Sequence, residues 1–159
     1  LGGADVRAQA DAEVALVDGS DPVGVGGSYV LLQRFVHDLA TWSELSQPDQ
    51  EAVIGRTKDT DKELSSRIKP ESAHISRVVI EEDGDELEIL RHSMPYGDSR
   101  TAGLVFLAYS ARRDIFDMML DSMFDTAGEG VYDHLMDFTR AETGAYFFAP
   151  SLEQLAALS

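Results

Sequence analysis

Two residues in the stretch SAHISRVVIEEDGDELEILRHSMPY, Ser72 to Tyr96, have side chains that could do chemistry on a bound group: His74 and Arg91. Imidazole is the commonest metal ligand, and a guanidinium stays protonated and stabilises negative charge where it develops. The pattern between them reads as a β-hairpin. Ile75 to Ile80 is rich in β-branched residues, EEDGDE supplies an Asp-Gly turn, and Leu87 to Leu90 makes a second arm. A hairpin brings its outer ends together. This reading therefore sets His74 near Arg91, an arrangement that suits a ligand and a charge flanking one flat cofactor.

The elements that must position this pair follow from the apolar pattern. Residues 1–27 read as a connecting segment, with a short helical patch and then a Gly/Asp/Pro loop, before a domain over 28–159. Ser28 to His37 is β-branched and aromatic, as expected of a central strand buried on both faces. Trp42, Leu45, Val53 and Ile54 mark a helical stripe broken at Ser46-Gln47-Pro48, where a second helix starts with Pro in its first turn, and Gly55 can end it. Arg56 to Pro70 reads as a polar loop with one helical turn near Lys62 to Ser66. Met94 to Gly97 closes the hairpin. Gly103 to Tyr109 is an apolar strand, Asp114 to Phe124 a helix with a broad apolar face, Tyr132 to Thr139 a shorter helix, and Gly144 to Phe148 the last strand. Ser151 caps a terminal helix. The order implies an α+β, ferredoxin-like antiparallel sheet with helices on one face. Such a sheet leaves its other face apolar, which calls for a second half, another subunit or a large flat ligand.

Composition narrows the function. The chain has 159 residues and no cysteine, which excludes thiolate nucleophiles, iron–sulfur clusters and disulfides and fits a reducing, cytoplasmic compartment. A net charge of −16 argues against nucleic acid or an anionic membrane as partner. No apolar run approaches the ~18 residues of a membrane span, and no signal segment precedes the domain.

The succession GGSYVLLQRFVHDL, QEAVIGRTK, SAHISRV, ELEILRHSMPYG, GLVFLAY and TGAYFFAPS resembles the C-terminal, haem-binding half of the dye-decolourising peroxidases. The resemblance implies two ferredoxin-like halves, with haem b held in this one. It makes His74 the proximal iron ligand, Arg91 the distal arginine and Ser93 a residue lining the peroxide pocket. Asp133 best fits the acidic partner of the histidine, with Asp137 on the same helical face as the alternative. Arg56 and Lys58 would pair with a haem propionate, and Leu104, Phe106 and Met118 are candidates for contacts with the haem faces. The family's Gly-x-x-Asp-Gly segment is only imitated by Val17 to Pro22: Ala15 stands where the first glycine belongs, and the distance to GGSY is too short. Asp18 is therefore a decoy, and the true distal acid is expected upstream of Leu1, in a missing N-terminal half.

The reading that follows is a haem peroxidase, or its haem-binding half, that reduces hydrogen peroxide and oxidises aromatic, dye-like donors one electron at a time. Trp42 and Tyr109 are candidate surface relays for bulky donors, and the family implies a homo-oligomer. Two alternatives stand beside it: a non-catalytic haem-handling module, and a ferredoxin-like protein-interaction domain.

Overall fold

The computed structural model describes residues 2–19 and 24–158, with side chains described from residue 9 onward. In chain order the elements are α1 (Gly2–Ala15), β1 (Ser28–His37), α2 (Leu39–Glu44), α3 (Gln47–Ile54), α4 (His74–Val78), β2 (Ile80–Glu82), β3 (Asp85–Leu87), β4 (Leu90–Gly97), β5 (Ala102–Ser110), α5 (Asp114–Phe124), a 3₁₀ turn (His134–Asp137), β6 (Thr139–Ala149) and α6 (Leu152–Ala156). Four strands form one antiparallel sheet in the order β4-β5-β1-β6, and β2 and β3 form a separate small hairpin. This is the β-α-β-β-α-β ferredoxin-like topology that the apolar pattern implies.

One face of the sheet is covered by helices. Alternation along a strand and the pairing register put Leu31, Ala108 and Phe106 on that face. There Phe116 of α5 packs on Leu31 and Ala108 in the buried core, with Tyr29, Phe106, Ile89 and Leu120 around it. On the other face the cover of β1 is partial: Val30 is buried there, whereas Leu32 of β1, Met94 of β4 and Phe147 of β6 are exposed, so the expectation of a strand buried on both faces holds at Val30 and fails at Leu32.

Local chemistry sets most boundaries. Asp38 and Ser46 accept from the first-turn amides of α2 and α3, Pro48 sits in the first turn of α3, and Gly55 ends α3 in the left-handed conformation. Ser151 and Gln154 form a capping box on α6. Asp83 and Gly84, both with positive φ, make the two-residue turn between β2 and β3.

Several elements differ from the sequence reading. Ile75 to Val78 is helix, not strand: α4 opens at His74, and only Ile80 to Leu87 remains as a hairpin. β-branched residues are poor guides here, because strand preference is a matter of packing surroundings; Arg77 Nε donates to the Ser122 carbonyl at 3.0 Å and holds α4 against α5. Met94 to Gly97 continues β4 along the sheet edge, where Pro95 is tolerated. Lys62 to Ser66 has no helical turn; an isolated bridge between Arg56 and Glu63 closes that loop. The helix expected over Tyr132 to Thr139 is a 3₁₀ turn, and β6 begins at Thr139, ahead of Gly144. The helical patch of the first segment is the 14-residue α1, joined to the domain by Ala111 N–H donating to the Val14 carbonyl and by buried Ala15 and Val17.

Tyr146 ties β6 to α5. Its ring stacks on Phe116, its hydroxyl donates to Asp117 Oδ1 at 2.7 Å, and the Arg113 guanidinium lies over the ring. Burial, reinforced by the bond to Asp117, pushes its phenol up to about 12. The folded chain thus favours the neutral phenol, a contribution present below about pH 10 and lost as pH rises toward 12. Tyr146→Phe should flatten the alkaline loss of stability in that window, measured by urea denaturation at stepped pH; an unchanged profile would refute the assignment.

Candidate functional site

The histidine site is built around a buried carboxylate. Asp133 is fully buried just before the 3₁₀ turn, and its backbone N–H donates to the Met123 carbonyl at 2.9 Å. Its Oδ1 accepts from Leu135 N–H at 2.9 Å, capping the turn, and its Oδ2 lies 2.6 Å from His74 Nδ1. His134 N–H donates to the Ser72 carbonyl, so backbone bonds fix both sides of the pair. A carboxylate accepts only, so Nδ1 carries the proton and the lone pair is left on Nε2, the tautomer suited to binding a metal. The His74 side chain keeps 27% of its surface exposed. Asp137 has a different partner: it accepts from the Tyr132 hydroxyl at 2.9 Å, a bond that holds the phenol protonated to higher pH than usual. Of the two aspartates left open by the sequence, Asp133 is the one that contacts His74.

Gly55 controls where α4 starts. Its φ of 89° belongs to the left-handed region, and a Cβ there would run into the Ile75 side chain, next to His74. The turn that ends α3 therefore seats the first turn of α4.

Arg91 and Ser93 come from the other layer. Register pairs Arg91 with Ala108, Ser93 with Phe106 and Pro95 with Leu104, so all six share the helix-covered face of the sheet. Neither the Arg91 guanidinium nor the Ser93 hydroxyl has a partner among the described residues, and both are exposed. His74 and Arg91 thus lie in opposite layers, not at the two ends of one hairpin. Gln33 of β1, to which the sequence reading gave no role, pairs with Phe106 and belongs to the same face; a lone amide in the apolar run SYVLLQRFVH was its signal.

The remaining candidates are more dispersed. Arg56 donates to Asp61 through Nε, at 2.8 Å, and Lys58 Nζ donates to Gln50 at 3.0 Å, both on the exposed loop after α3. Met118 is half-buried and lies off the stripe of Ile115, Phe116, Met119 and Met123 that α5 buries. Trp42 packs edge-on against Phe138, and Tyr109 lies on the sheet face opposite Arg91, against His92. Asp18 is exposed, and the end of its imitation motif, residues 20–22, lies outside the described residues.

The helical layer thus holds a carboxylate-oriented imidazole, and the sheet face it covers carries an arginine with no partner among the described residues; known proteins share this fold. The family profile described as Dyp-type peroxidase, C-terminal, matches residues 2–154. The dye-decolorizing peroxidase of Mycolicibacterium paratuberculosis is 41% identical over 138 residues, which cover 85% of this chain and 39% of that protein. A haem-bound variant of DypB from Rhodococcus jostii RHA1 superposes with a TM-score of 0.90 at 38% identity, covering 94% of this chain and 50% of the other. The dye-decolorizing protein from V. cholerae gives 0.84 at 49% identity, over 92% and 48%. The chain belongs to the dye-decolourising peroxidase family and corresponds to its C-terminal part, spanning about half or less of the length of these relatives.

Three substitutions at two positions test the geometry. Asp133→Ala should lower stability by roughly 2 kcal/mol through loss of the cap and of the His74 bond, whereas Asp133→Asn, which can still cap, should cost less; urea denaturation reads both, and equal losses would deny the cap. Gly55→Ala should cost about 1–3 kcal/mol from its backbone strain, and a stability equal to wild type would show that α4 is not held by this turn.

Proposed function

We propose that this chain is the haem b-binding half of a peroxidase that reduces hydrogen peroxide and oxidises bulky aromatic donors. The observation that carries the reading is the bond from His74 Nδ1 to buried Asp133, which leaves Nε2 as the free ligand atom. The donor set suits haem: one neutral imidazole, an apolar face with Leu104 and Phe106, and an uncommitted arginine and serine on that face. Bound haem would supply the redox chemistry.

The chain's own residues would do the rest. Asp133 keeps the imidazole in one orientation and increases its basicity. Arg91, always protonated, stabilises negative charge on the peroxide oxygens as their bond breaks, and Ser93 holds a hydrogen-bonding oxygen beside it. Arg56 and Lys58 would exchange their present neighbours, Asp61 and Gln50, for a propionate. Acid–base help from an aspartate, and a cover for the apolar sheet face, we assign to the part of the relatives' length that this chain does not span. The relatives' names support peroxide and organic donors as substrates, and the cysteine-free composition fits a cytoplasmic setting. A homo-oligomer is part of the same reading.

Titration with haemin tests this. The chain should give the Soret band of a histidine-ligated ferric haem, His74→Ala should lose it, and Arg91→Leu should bind haem yet react with peroxide at least ~100-fold more slowly. An unchanged Soret band in His74→Ala would remove the proposal, and haem binding with no peroxide reaction would reduce it to a haem-handling module.

A further inference from the structure

Resting on the haem reading above, we infer that Gln33 is a third polar contact of the pocket, its carboxamide donating through Nε2 to an oxygen acceptor of the bound group. Gln33 is 9% exposed, yet its amide has no hydrogen-bond partner among the described residues. Its neighbours along the strand on the same face, Leu31 and Phe35, are buried and apolar. The residue is nine-tenths buried, yet its amide nitrogen and oxygen are not sealed off, so a ligand or water in the space beside them can complete their hydrogen bonding.

The register says where that partner lies. Ser93, Phe106 and Gln33 stand in one row across β4, β5 and β1, on the face that carries Arg91. Adjacent strands are about 4.8 Å apart, so the row reaches about 10 Å from Ser93 to Gln33. It continues to Gly144 of β6, where there is no side chain to satisfy the amide; a Cβ at that position would lie 3.6 Å from Nε2. The polar groups of this row are thus Ser93 at the β4 end and the Gln33 amide at the β1 end, with Phe106 between them. An acceptor oxygen of the bound group can be either a haem carboxylate or an oxygen-like ligand on the iron, and the carboxamide chemistry is the same for both.

Gln33→Met keeps length and removes the amide; Gln33→Leu is the second variant. Thermal unfolding of the haem-free chain should show a midpoint unchanged or raised, because an unpartnered amide is gone. Affinity for haemin, and affinity of the haem-loaded ferric chain for fluoride, are then measured. One of them should weaken about tenfold, the equivalent of ~1.4 kcal/mol. Weaker haemin binding with unchanged fluoride binding assigns the contact to a carboxylate of the haem, and the converse assigns it to the ligand on the iron. Both affinities within twofold of wild type, in either variant that folds, overturn the inference, as does a lowered midpoint with unchanged affinities. A wild-type chain that binds no haemin overturns it together with the reading it rests on, whereas haemin binding lost in His74→Ala with both haemin and fluoride affinities untouched at Gln33 removes the Gln33 contact alone.

Discussion

A carboxylate with no exposure to water must have both oxygens bonded, and in this chain that requirement organises the helical layer. Asp133 meets it by closing the 3₁₀ turn with one oxygen and holding the imidazole of His74 with the other. The stability of the turn and the orientation of the His74 ring therefore rest on the same two hydrogen bonds. The backbone agrees: the Asp133 and His134 amides donate to α5 and to the residue pair just before α4, so the three short elements around the histidine are locked to one another.

The sheet turns Arg91 and Ser93 toward the helix-covered face by register alone. A slip of one residue between β4 and β5 would send Arg91 and Ser93 to the face with Leu32 and Met94 and replace them with His92. Among the described residues nothing polar fixes that register through Arg91 or Ser93, since neither has a partner there. It is fixed remotely, by the core of Leu31, Ala108 and Phe116 and by Tyr96, whose hydroxyl donates to the Phe35 carbonyl at 2.8 Å.

The sequence made the large elements legible because their signals are local. Ser46, Pro48 and Gly55 mark the two ends of α3, Asp83-Gly84 the small turn, and the apolar run of Asp114 to Phe124 the main helix. It misjudged Ile75 to Val78 because β-branched residues describe a half-buried surface, and α4 finds that surface as a helix through Arg77 and Gly55. The reading that brought His74 and Arg91 together as hairpin ends fails with it, although the motif series pointed to both residues. Asp133 over Asp137 could be resolved only in three dimensions, because four residues of separation in a helix differ from the tighter 3₁₀ turn that forms. Gln33 lay inside the motif GGSYVLLQRFVHDL with no role attached, marked only by a polarity out of place.

The two edges of the sheet are unequal. β4, which carries Arg91 and Ser93, is interrupted by Pro95, a residue with no N–H to offer an added strand. β6, at the far side, runs 11 residues without a proline and shows Phe147 and Phe148 at its surface. Growth of the sheet by a foreign strand is thus obstructed beside the chemistry and open on the side away from it, so that any contact made through backbone pairing would form without touching the arginine.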